Sequence, residues 1–219
     1  MKDVVIFGAG SVGRLSEQII HDINADKKQF NLLGYLDDDV EKHKTSLNKI
    51  EVLGGIEWLK SKNNTYVAMG FSNPSQKYNL IKKLKKNGHQ KYVQLIHPQS
   101  WVSKRVKLGT GSVIYPGVHI DVDVEIRDFN LLNKLCTVGH DTILGKYSTI
   151  SPGVNIGGFN NIKDGVEFGI NSCSVQNINI GSWTTIGAGA VIIRDVPDHA
   201  VVVGNPGRIL RIGGNKEST

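Results

Sequence analysis

The sequence lacks the features that would place a protein in a membrane or outside the cell. No run of 18 apolar residues occurs among its 219 residues, so we expect no transmembrane helix. The apolar run near the N-terminus is too short for a signal peptide. Only two cysteines are present, Cys136 and Cys173, so we expect no disulfide framework. These absences predict a cytoplasmic protein without a membrane partner.

The net charge of +6 reflects a modest excess of basic residues. Much of this excess comes from lysines close together in the sequence and from arginines near the C-terminus. These residues are Lys82, Lys83, Lys85, Lys86, Lys91, Arg208 and Arg211. A solvated helix face explains the lysines better than nucleic-acid binding does, so we expect no nucleic-acid partner. The basic C-terminal segment could instead meet the phosphates of a nucleotide cofactor.

The C-terminal half carries an apolar residue at nearly every sixth position. Fifteen of sixteen consecutive register positions are apolar, and Ser174 is the exception. The apolar positions are Val102, Leu108, Ile114, Ile120, Ile126, Leu132, Val138, Leu144, Ile150, Ile156, Ile162, Phe168, Ile180, Ile186 and Ile192. Two residues before most of them stands a small or short side chain, and a glycine often follows them. A period of six fits neither an α-helix nor a simple strand alternation.

A six-residue period fits a solenoid whose coil has three short, flat faces. The apolar residue of each hexad would point into the core and stack on its equivalent in the next coil, and the glycines would relieve crowding at the turns. Because 18 residues make one coil, residues 102–193 predict about five coils. Each coil buries its core only against its neighbours, so the array is stable as a stack.

The N-terminal part shows the order of a nucleotide-binding α/β unit. A short strand at Val4 to Phe7 runs into the glycine loop Gly8 to Gly13, which has the pattern G-x-G-x-x-G. A helix is predicted from about Gly13 to Asn24, and a second strand at Leu32 to Leu36 ends at Asp37 and Asp38. Glycine loops let main-chain N–H groups approach a phosphate at a helix N-terminus. The acid after the second strand can accept hydrogen bonds from a ribose or base.

The remaining N-terminal elements predict a parallel α/β domain that is too small for a full dinucleotide fold. Strands are expected at 65–69 and 92–96, with a helix starting near Ser75 between them. Such a half-sized fold could hold one nucleotide, such as the UDP of a sugar nucleotide. We therefore predict three segments: a Rossmann-like domain at 1–97, a β-helix domain at 98–212 and a tail at 213–219. The passage between the two domains is marked by His97 and Pro98.

His140 and Asp141 are the residues of the repeat best suited to acid–base chemistry. Both occupy variable positions of one hexad, so they should project outward. A neutral imidazole can take a proton from an attacking amine or hydroxyl, and a carboxylate can orient the ring. Adjacent residues on a strand point in opposite directions, so contact between the two requires Asp141 to lie at a corner. His119 also occupies a variable position and competes less strongly.

A metal centre is not expected. Hexapeptide-repeat carbonic anhydrases need three histidines, two of them five residues apart, and position 145 is Gly145 instead. The two cysteines also lack a metal-ligand spacing.

The repeat resembles the hexapeptide-repeat family of left-handed parallel β-helix proteins, most of which are acyltransferases. Together with the glycine-loop domain, the chain resembles the sugar O-acyltransferase family. That family includes sialic acid O-acetyltransferases and bacterial nucleotide-sugar N-acetyltransferases. The likeness is strongest to enzymes that acetylate the 4-amino group of a UDP-4-amino-4,6-dideoxy sugar on the route to di-N-acetylbacillosamine. The segments 168–173 and 203–208 contribute to it. The resemblance implies a homotrimer with sites between neighbouring coils.

The resemblance also implies roles for individual residues. His140 would be the general base with Asp141 as its partner, and the N–H of Gly158 would hold the thioester oxygen. The cofactor acetyl-CoA would meet Thr149, Gly158, Ile170, Ala188, Pro206 and Arg208. The nucleotide sugar would be held by Gly8, Gly10, Ser11, Asp37 and Asp38. Thr149 stands where some relatives carry a second histidine, and it can donate a hydrogen bond without carrying a charge.

These observations predict an acetyl-CoA-dependent N-acetyltransferase that acts on the 4-amino group of a nucleotide-linked 4-amino-4,6-dideoxy sugar, with UDP favoured as the carrier. The fold expected is a small parallel α/β domain followed by a left-handed parallel β-helix. Two alternatives stay open: O-acetylation of sialic acid or another sugar, and a trimer that binds nucleotides without catalysis. A nicotinamide oxidoreductase is a more distant third.

Overall fold

The computed structural model describes residues 1–213, which separate into two units. Unit 1 comprises Met1–Pro98 and Thr110–Val113, and unit 2 comprises Gln99–Gly109 and the chain from Ile114 onward. The predicted tail at 213–219 lies, apart from Gly213, outside the described residues. In the described part of the chain, no helix is both long and apolar enough to cross a membrane.

Unit 1 is built on a parallel three-stranded sheet with the strand order β2-β1-β5. Its strands are β1 (Lys2–Phe7), β2 (Phe30–Leu36) and β5 (Tyr66–Met69). The centre of β1 is fully buried at Val4, Val5 and Ile6. A continuous apolar run of this kind is typical of a parallel strand that is covered on both faces.

Two helices and several short elements complete unit 1. Helix α1 (Ser11–Asp26) links β1 to β2 and buries Ile19, Ile20 and Ile23. Helix α2 (Pro74–Lys86) begins where the side chain of Asn73 accepts the N–H of Gln76, with proline in the first turn. The shorter elements are 3-10 helices at Val40–Lys42 and Ile56–Ser61, and strands β3 (Ser46–Leu47), β4 (Ile50–Glu51) and β6 (Leu95–Ile96).

The expected fourth strand at 92–96 is largely wrong. Tyr92 forms only an isolated parallel bridge with Val67, and regular strand structure is confined to β6. The N–H of Val67 donates to the carbonyl of Lys91, and the N–H of Val93 donates to the carbonyl of Val67. Because this pairing covers only one residue pair, the segment at 92–96 does not add a fourth strand to the sheet of unit 1.

Unit 2 is a parallel β-solenoid with three faces, as the six-residue period predicted. The first face contains β7 (Trp101–Val102), β10 (His119–Ile120), β13 (Thr137–Val138), β16 (Asn155–Ile156), β19 (Cys173–Ser174) and β22 (Val191–Ile192). The second contains β8 (Lys107–Leu108), β11 (Glu125–Ile126), β14 (Ile143–Leu144), β17 (Asn161–Ile162) and β20 (Asn179–Ile180).

The third face ends in the only antiparallel pairing described for unit 2. It contains β12 (Leu131–Leu132), β15 (Thr149–Ile150), β18 (Glu167–Phe168), β21 (Thr185–Ile186) and β23 (Ala200–Val203). Strand β24 (Arg208–Ile212) then pairs with β23 in the opposite direction. Strand β9 (Val113–Ile114) spans the boundary between the two units. Six strands on the first face correspond to about six turns, one more than predicted.

The register residues form the solenoid core. Every apolar register position from Ile114 to Ile192 is at most 3% exposed. Ser174 is also buried, and its hydroxyl accepts a hydrogen bond of 2.7 Å from the side-chain amide of Asn160. That bond satisfies the polar group inside the core, which explains how the register tolerates its one exception.

Glycine at the turns lets one coil approach the next. A Cβ atom at Gly139 would lie 2.6 Å from the main-chain nitrogen of Gly158 in the following coil. A side chain would therefore push the two coils apart at this corner. The expected role of these glycines in relieving crowding is confirmed here.

Candidate active site

His140 and Asp141 form a turn between β13 and β14, at a corner between the first and second faces. Asp141 has a φ of 57°, the left-handed conformation that turns the chain. Its Oδ2 lies 2.9 Å from Nδ1 of His140, so the two adjacent side chains contact each other. A carboxylate can only accept, so this bond places the proton on Nδ1 and leaves the lone pair on Nε2.

Gly158 occupies the equivalent corner position one coil later, 18 residues along the chain. A Cβ atom at Gly158 would lie 2.9 Å from Nε2 of His140, so the absence of a side chain keeps this space open. Among the described residues, none accepts a hydrogen bond from the Gly158 N–H. The imidazole edge and a free main-chain donor therefore meet at one corner.

Phe159 packs against the imidazole at the same corner. Its ring is edge-on to the ring of His140, with centroids 5.0 Å apart, and its N–H donates to the carbonyl of His140 at 2.9 Å. The sequence reading did not include Phe159, since an exposed aromatic residue in a turn carries no distinct signal.

Asn160 and Thr142 hold the corner from inside. The Asn160 side-chain amide donates to the carbonyls of Gly157 and Val175, and its oxygen accepts the N–H of Ile178 at 2.6 Å. The hydroxyl of Thr142 donates to the Gly157 carbonyl at 3.0 Å and accepts the N–H of Asn160. These bonds tie the coil of His140 to the coil of Gly158. Both residues occupy small-residue positions of the register, and the sequence reading assigned them no functional role.

Ile170 and Ala188 stand at a different corner, between the third and first faces. They lie one coil apart in the sequence, and the two coils approach closely here: a Cβ atom at Gly169, next to Ile170, would be 2.5 Å from the main-chain nitrogen of Ala188. The carbonyl of Ile170 accepts the N–H of Gly189 at 2.8 Å. A single chain therefore does not bring these two residues together with His140, and their contact with the cofactor stays a prediction.

Thr149 lies on β15 of the third face and is only 3% exposed. Its side chain is therefore not on an open surface, and its expected contact with the cofactor also stays a prediction. Pro206 and Arg208 lie where the chain turns from β23 into β24, and Arg208 is exposed. A cavity of about 310 Å³ there is lined by Arg208 and by Arg194, which the sequence reading did not single out.

The glycine loop of unit 1 lies at the carboxyl end of β1. Gly8 has a φ of 112°, and a Cβ atom there would lie 2.8 Å from the carbonyl oxygen of Gly70, which follows β5. There is no room for a side chain at Gly13, because a Cβ atom there would lie 1.9 Å from the carbonyl oxygen of Gly8. Gly10 caps α1 without a side-chain hydrogen bond, and both Gly10 and Ser11 are exposed. The first turn of α1 is therefore open to an anion.

Asp37 anchors the glycine loop. Its Oδ2 accepts the N–H of Ala9 at 2.9 Å and lies 3.0 Å from Nζ of Lys42, while its Oδ1 accepts the N–H of Asp39. Burial alone would raise the pKa of this carboxyl, but the hydrogen bonds from Asp39, Ala9 and Lys42 outweigh it and lower the pKa. Lys42 was missed in the sequence reading because its approach depends on the loop after β2.

Asp38 faces a separate set of partners at the same end of the sheet. Its Oδ2 lies 3.0 Å from Nζ of Lys83 on α2, and its Oδ1 accepts the N–H of Ile56 at 3.3 Å. A groove of about 720 Å³ beside it is lined by Trp58, Lys83 and Lys86, among others. The five nucleotide-binding candidates thus lie directly after β1 and β2, with Ser11 as the first residue of α1, and their role stays a prediction.

Comparison with known proteins identifies the family. Residues 3–84 match the model of the PglD N-terminal domain. A GDP-perosamine N-acetyltransferase from Escherichia coli O157:H7 is 30% identical over 205 residues, which cover 91% of this chain and 81% of the relative. The chain belongs to the hexapeptide-repeat sugar acetyltransferases.

Solved structures of two similar proteins match the fold of this chain over nearly its whole length. The acetyltransferase domain of PglB from Neisseria gonorrhoeae FA1090, in complex with acetyl coenzyme A, has a TM-score of 0.85 at 27% identity. That match covers 95% of this chain and 99% of the domain. WeeI from Acinetobacter baumannii AYE has a TM-score of 0.84 at 25% identity, covering 96% of this chain and all of WeeI. The predicted combination of a small parallel α/β part and a β-solenoid is confirmed.

The competing histidine lies outside the corner of His140. The ring of His119 stacks on Trp101 with centroids 4.3 Å apart, and its Nε2 lies 3.1 Å from Asp121. Among residues 1–213, no group of three or more His, Cys, Asp or Glu side chains could hold a metal ion. Both cysteines are free, and burial raises the pKa of the Cys136 thiol to about 12.

Proposed function

We propose that this protein is an acetyl-CoA-dependent N-acetyltransferase that acetylates the amino group of a nucleotide-linked amino sugar. The observation that carries the proposal is the corner where Nε2 of His140 opens onto Gly158. It provides a base with a free lone pair and a main-chain donor within one small space. Family membership and the names of the relatives, which include a GDP-perosamine N-acetyltransferase, support this reaction class.

The reaction we propose is direct attack of the sugar amine on the thioester carbonyl. The nitrogen forms a bond to the carbonyl carbon while the carbonyl oxygen gains negative charge, which the N–H of Gly158 stabilises. Nε2 of His140 takes the proton that the nitrogen loses, and Asp141 stabilises the imidazolium. The carbon–sulfur bond then breaks, and the proton passes from His140 to the departing thiolate. The products are an amide and free CoA.

The nucleotide end of the sugar is assigned to the predicted domain at 1–97. The open first turn of α1, beside Gly10 and Ser11, suits the diphosphate because the first N–H groups of a helix have no intrahelical partner. Gly8 is proposed to shape the loop that leads into this turn, since its own N–H donates to the carbonyl of Leu36. Asp37 is assigned a supporting role, because its carboxylate already holds the loop through Ala9, whereas Asp38 is proposed to contact the nucleotide itself. The match of residues 3–84 to the PglD N-terminal domain supports the assignment of nucleotide binding to this domain.

The acetyl-CoA site is proposed to need a second copy of the chain. Ile170 and Ala188 lie at one corner of the solenoid and His140 lies at another, so a single chain offers two separate parts of a site. A neighbouring copy that places one corner against the other would complete it. The pantetheine arm would then pass Thr149, Ile170 and Ala188 towards Pro206 and Arg208, which follow the last coils.

The distribution of exposed apolar side chains supports association between copies of the chain, and we propose that the assembly is the homotrimer implied by the family resemblance. Several exposed apolar residues lie at the two corners that flank the first face. They are Val122, Leu135, Phe159 and Ile170. The outward positions of the second face are mostly polar: Lys107, Glu125, Asn161 and Asn179. Exposed apolar corners of this kind mark an association surface. Light scattering after gel filtration is expected to give three times the chain mass, and an active monomer would contradict this part of the proposal.

The finer identity of the substrate is also part of the proposal. The resemblance favours a 4-amino-4,6-dideoxy sugar and UDP as its carrier. A cytoplasmic location is proposed because both thiols are free, as is typical of a reducing compartment.

Thiol release from acetyl-CoA tests the activity directly. The acceptors would be UDP-, dTDP- and GDP-linked 4-amino-4,6-dideoxy sugars and free sialic acid, with product mass read in parallel. Release with an amino sugar and a mass gain of one acetyl group is expected. Release only with sialic acid would move the assignment to O-acetylation. CoA binding without release from any acceptor would favour a non-catalytic role.

A further inference from the structure

The groove beside Asp38 is lined largely by residues of the segment that follows β2. In parallel α/β folds the phosphates sit at the first helix N-terminus, and the nucleoside reaches past the end of the second strand. That path passes Asp37, whose carboxylate is bonded to Ala9 of the loop, and next meets Asp38. The groove of about 720 Å³ therefore lies where the base of the nucleotide would be.

The polar edge of the groove combines an acceptor with a cationic donor. Oδ2 of Asp38 lies 3.0 Å from Nζ of Lys83, and Oδ1 accepts the N–H of Ile56. A carboxylate offers about four lone-pair positions, so two remain for a ligand. The Asp38 side chain is 41% exposed, and that of Lys83 is more exposed still, so both are accessible from the groove. Lys86 adds a second cation to the lining.

This edge matches guanine better than the other common bases. Guanine presents the O6 acceptor beside two donors, N1–H and the exocyclic amino group, so Lys83 can donate to O6 while Asp38 accepts both donors. Uracil and thymine present one N–H between two carbonyls, which a carboxylate repels. Adenine presents only one donor beside one acceptor. Trp58 lines the same groove and offers an aromatic surface for a base.

We infer that the groove of Asp38, Trp58 and Lys83 selects a guanine base, so that the acceptor is a GDP-linked amino sugar. The inference rests on the proposed function, since it names the base of the nucleotide that this function requires. It replaces uracil, which the family resemblance favours, on the chemistry of the side chains that line the groove.

Calorimetric titration of the full-length protein with GDP, IDP, UDP, dTDP and ADP tests the inference without any turnover. IDP differs from GDP only in lacking the exocyclic amino group, so the pair isolates one hydrogen bond to Asp38. GDP is expected to bind at least about tenfold more tightly than IDP or UDP, because an unmatched charged hydrogen bond is costly. Equal affinity for GDP and IDP, or tighter binding of UDP, would overturn the inference.

The variant Asp38→Asn gives a test in which binding is gained. An asparagine can still accept from N1–H but donates from its amide, so it suits xanthine, which has a carbonyl in place of the amino group. We expect the variant to lose GDP affinity by about 10- to 100-fold and to bind xanthosine diphosphate more tightly than the wild type does. A gain of this kind also shows that the variant is folded. Loss of GDP binding without the gain would contradict the inference.

Glu57→Gln provides the matched control. Glu57 lines the same groove but is ion-paired with Lys60, and no bond to the base is assigned to it. Its substitution is expected to leave the order of nucleotide affinities unchanged, and a shift equal to that of Asp38→Asn would count against the inference. Thiol release with a UDP-linked sugar and no preference for guanine would leave the proposed function standing while the inference fails. If no nucleotide binds, both fail.

Discussion

The two units position their candidate residues in different ways. In unit 2 a repeated backbone brings together residues one coil apart, so His140 and Gly158 meet across 18 residues. In unit 1 the contacts join a loop to another loop or to a helix: Ala9 and Asp37 are 28 residues apart, and Asp38 is 45 residues from Lys83 of α2. In the solenoid the repeat fixes the backbone around the site, and only the side chains at the corner differ from those of other coils. In unit 1 the position of each site residue depends on the path of the intervening chain.

This difference implies different responses to substitution. A change at a solenoid corner should act locally, because coils contact only their neighbours and the frame is held by repeated interior bonds. A change in the loops of unit 1 should alter several contacts at once, since Asp37 alone joins the glycine loop, Asp39 and Lys42. Substitutions in both units test this contrast.

The largest effect is expected for His140→Ala. Removing the base should lower kcat by about 10²- to 10⁴-fold with a modest change in KM, because proton removal matters after the substrate is bound. Steady-state kinetics of thiol release measures both constants. His119→Ala is the matched control, since His119 is also half-exposed and paired with an aspartate. A fall of less than about tenfold in His140→Ala would remove this residue from the mechanism.

Gly158→Ala should lower kcat by about 10²-fold. The new Cβ atom would lie 2.9 Å from Nε2 of His140, which is too close, so the imidazole would have to move out of its catalytic position. The backbone of Gly158 is outside the left-handed region, so alanine can adopt it. The melting temperature should therefore stay close to that of the wild type. Wild-type kcat in this variant would show that the corner is not the site.

Asn160→Ala tests how the corner is held. The substitution removes the partners of the Val175 carbonyl, the Ser174 hydroxyl and the Ile178 N–H, whereas the Gly157 carbonyl keeps its bond from the Thr142 hydroxyl. The free energy of unfolding should fall by about 2–3 kcal/mol, as measured by denaturant titration. Asn155→Ala, at an exposed position of the neighbouring strand, should cost less than about 0.5 kcal/mol. Equal costs in the two variants would mean that the interior bonds do not secure the corner.

Asp37→Asn should give the smallest effect, and one that depends on pH. The folded-state pKa of Asp37 is lowered, so its ionised form stabilises the fold above the unfolded value, and this contribution disappears as the pH falls through the folded pKa. The difference in unfolding free energy between wild type and variant should therefore be larger at pH 7 than at pH 3. Asp26→Asn, at an exposed position, is the control. A difference that is constant with pH would contradict the assigned hydrogen bonds.

Much of unit 2 could be predicted from the sequence, because one short period specifies which residues face the core. The period predicts that His140 and Asp141 project outward, and the structure adds the corner position of Asp141 and the 2.9 Å contact between the two side chains. The structural role of Asn160 could not be predicted, because it occupies a register position where any small residue fits. Its hydrogen bonds become apparent only when three coils are stacked.

Less of unit 1 could be predicted. The glycine loop and the acid after β2 follow a known spacing, but Lys42 and Lys83 contact Asp37 and Asp38 from a 3-10 helix and from α2, whose positions no sequence spacing indicates. The segment between β2 and β5 contains two short 3-10 helices and a two-stranded hairpin, whose path no local pattern indicates. The groove beside Asp38 is a product of that path.

Two acceptors that differ only in the reacting group distinguish N-acetylation from O-acetylation. One is the nucleotide-linked sugar with an amine at the reacting carbon, and the other carries a hydroxyl there. Thiol release from acetyl-CoA by the wild-type protein is recorded with each, together with the product mass. We predict rapid release and a singly acetylated product with the amine, and release no faster than in buffer with the hydroxyl. Release with the hydroxyl compound, or none with the amine, would contradict the assignment as an N-acetyltransferase.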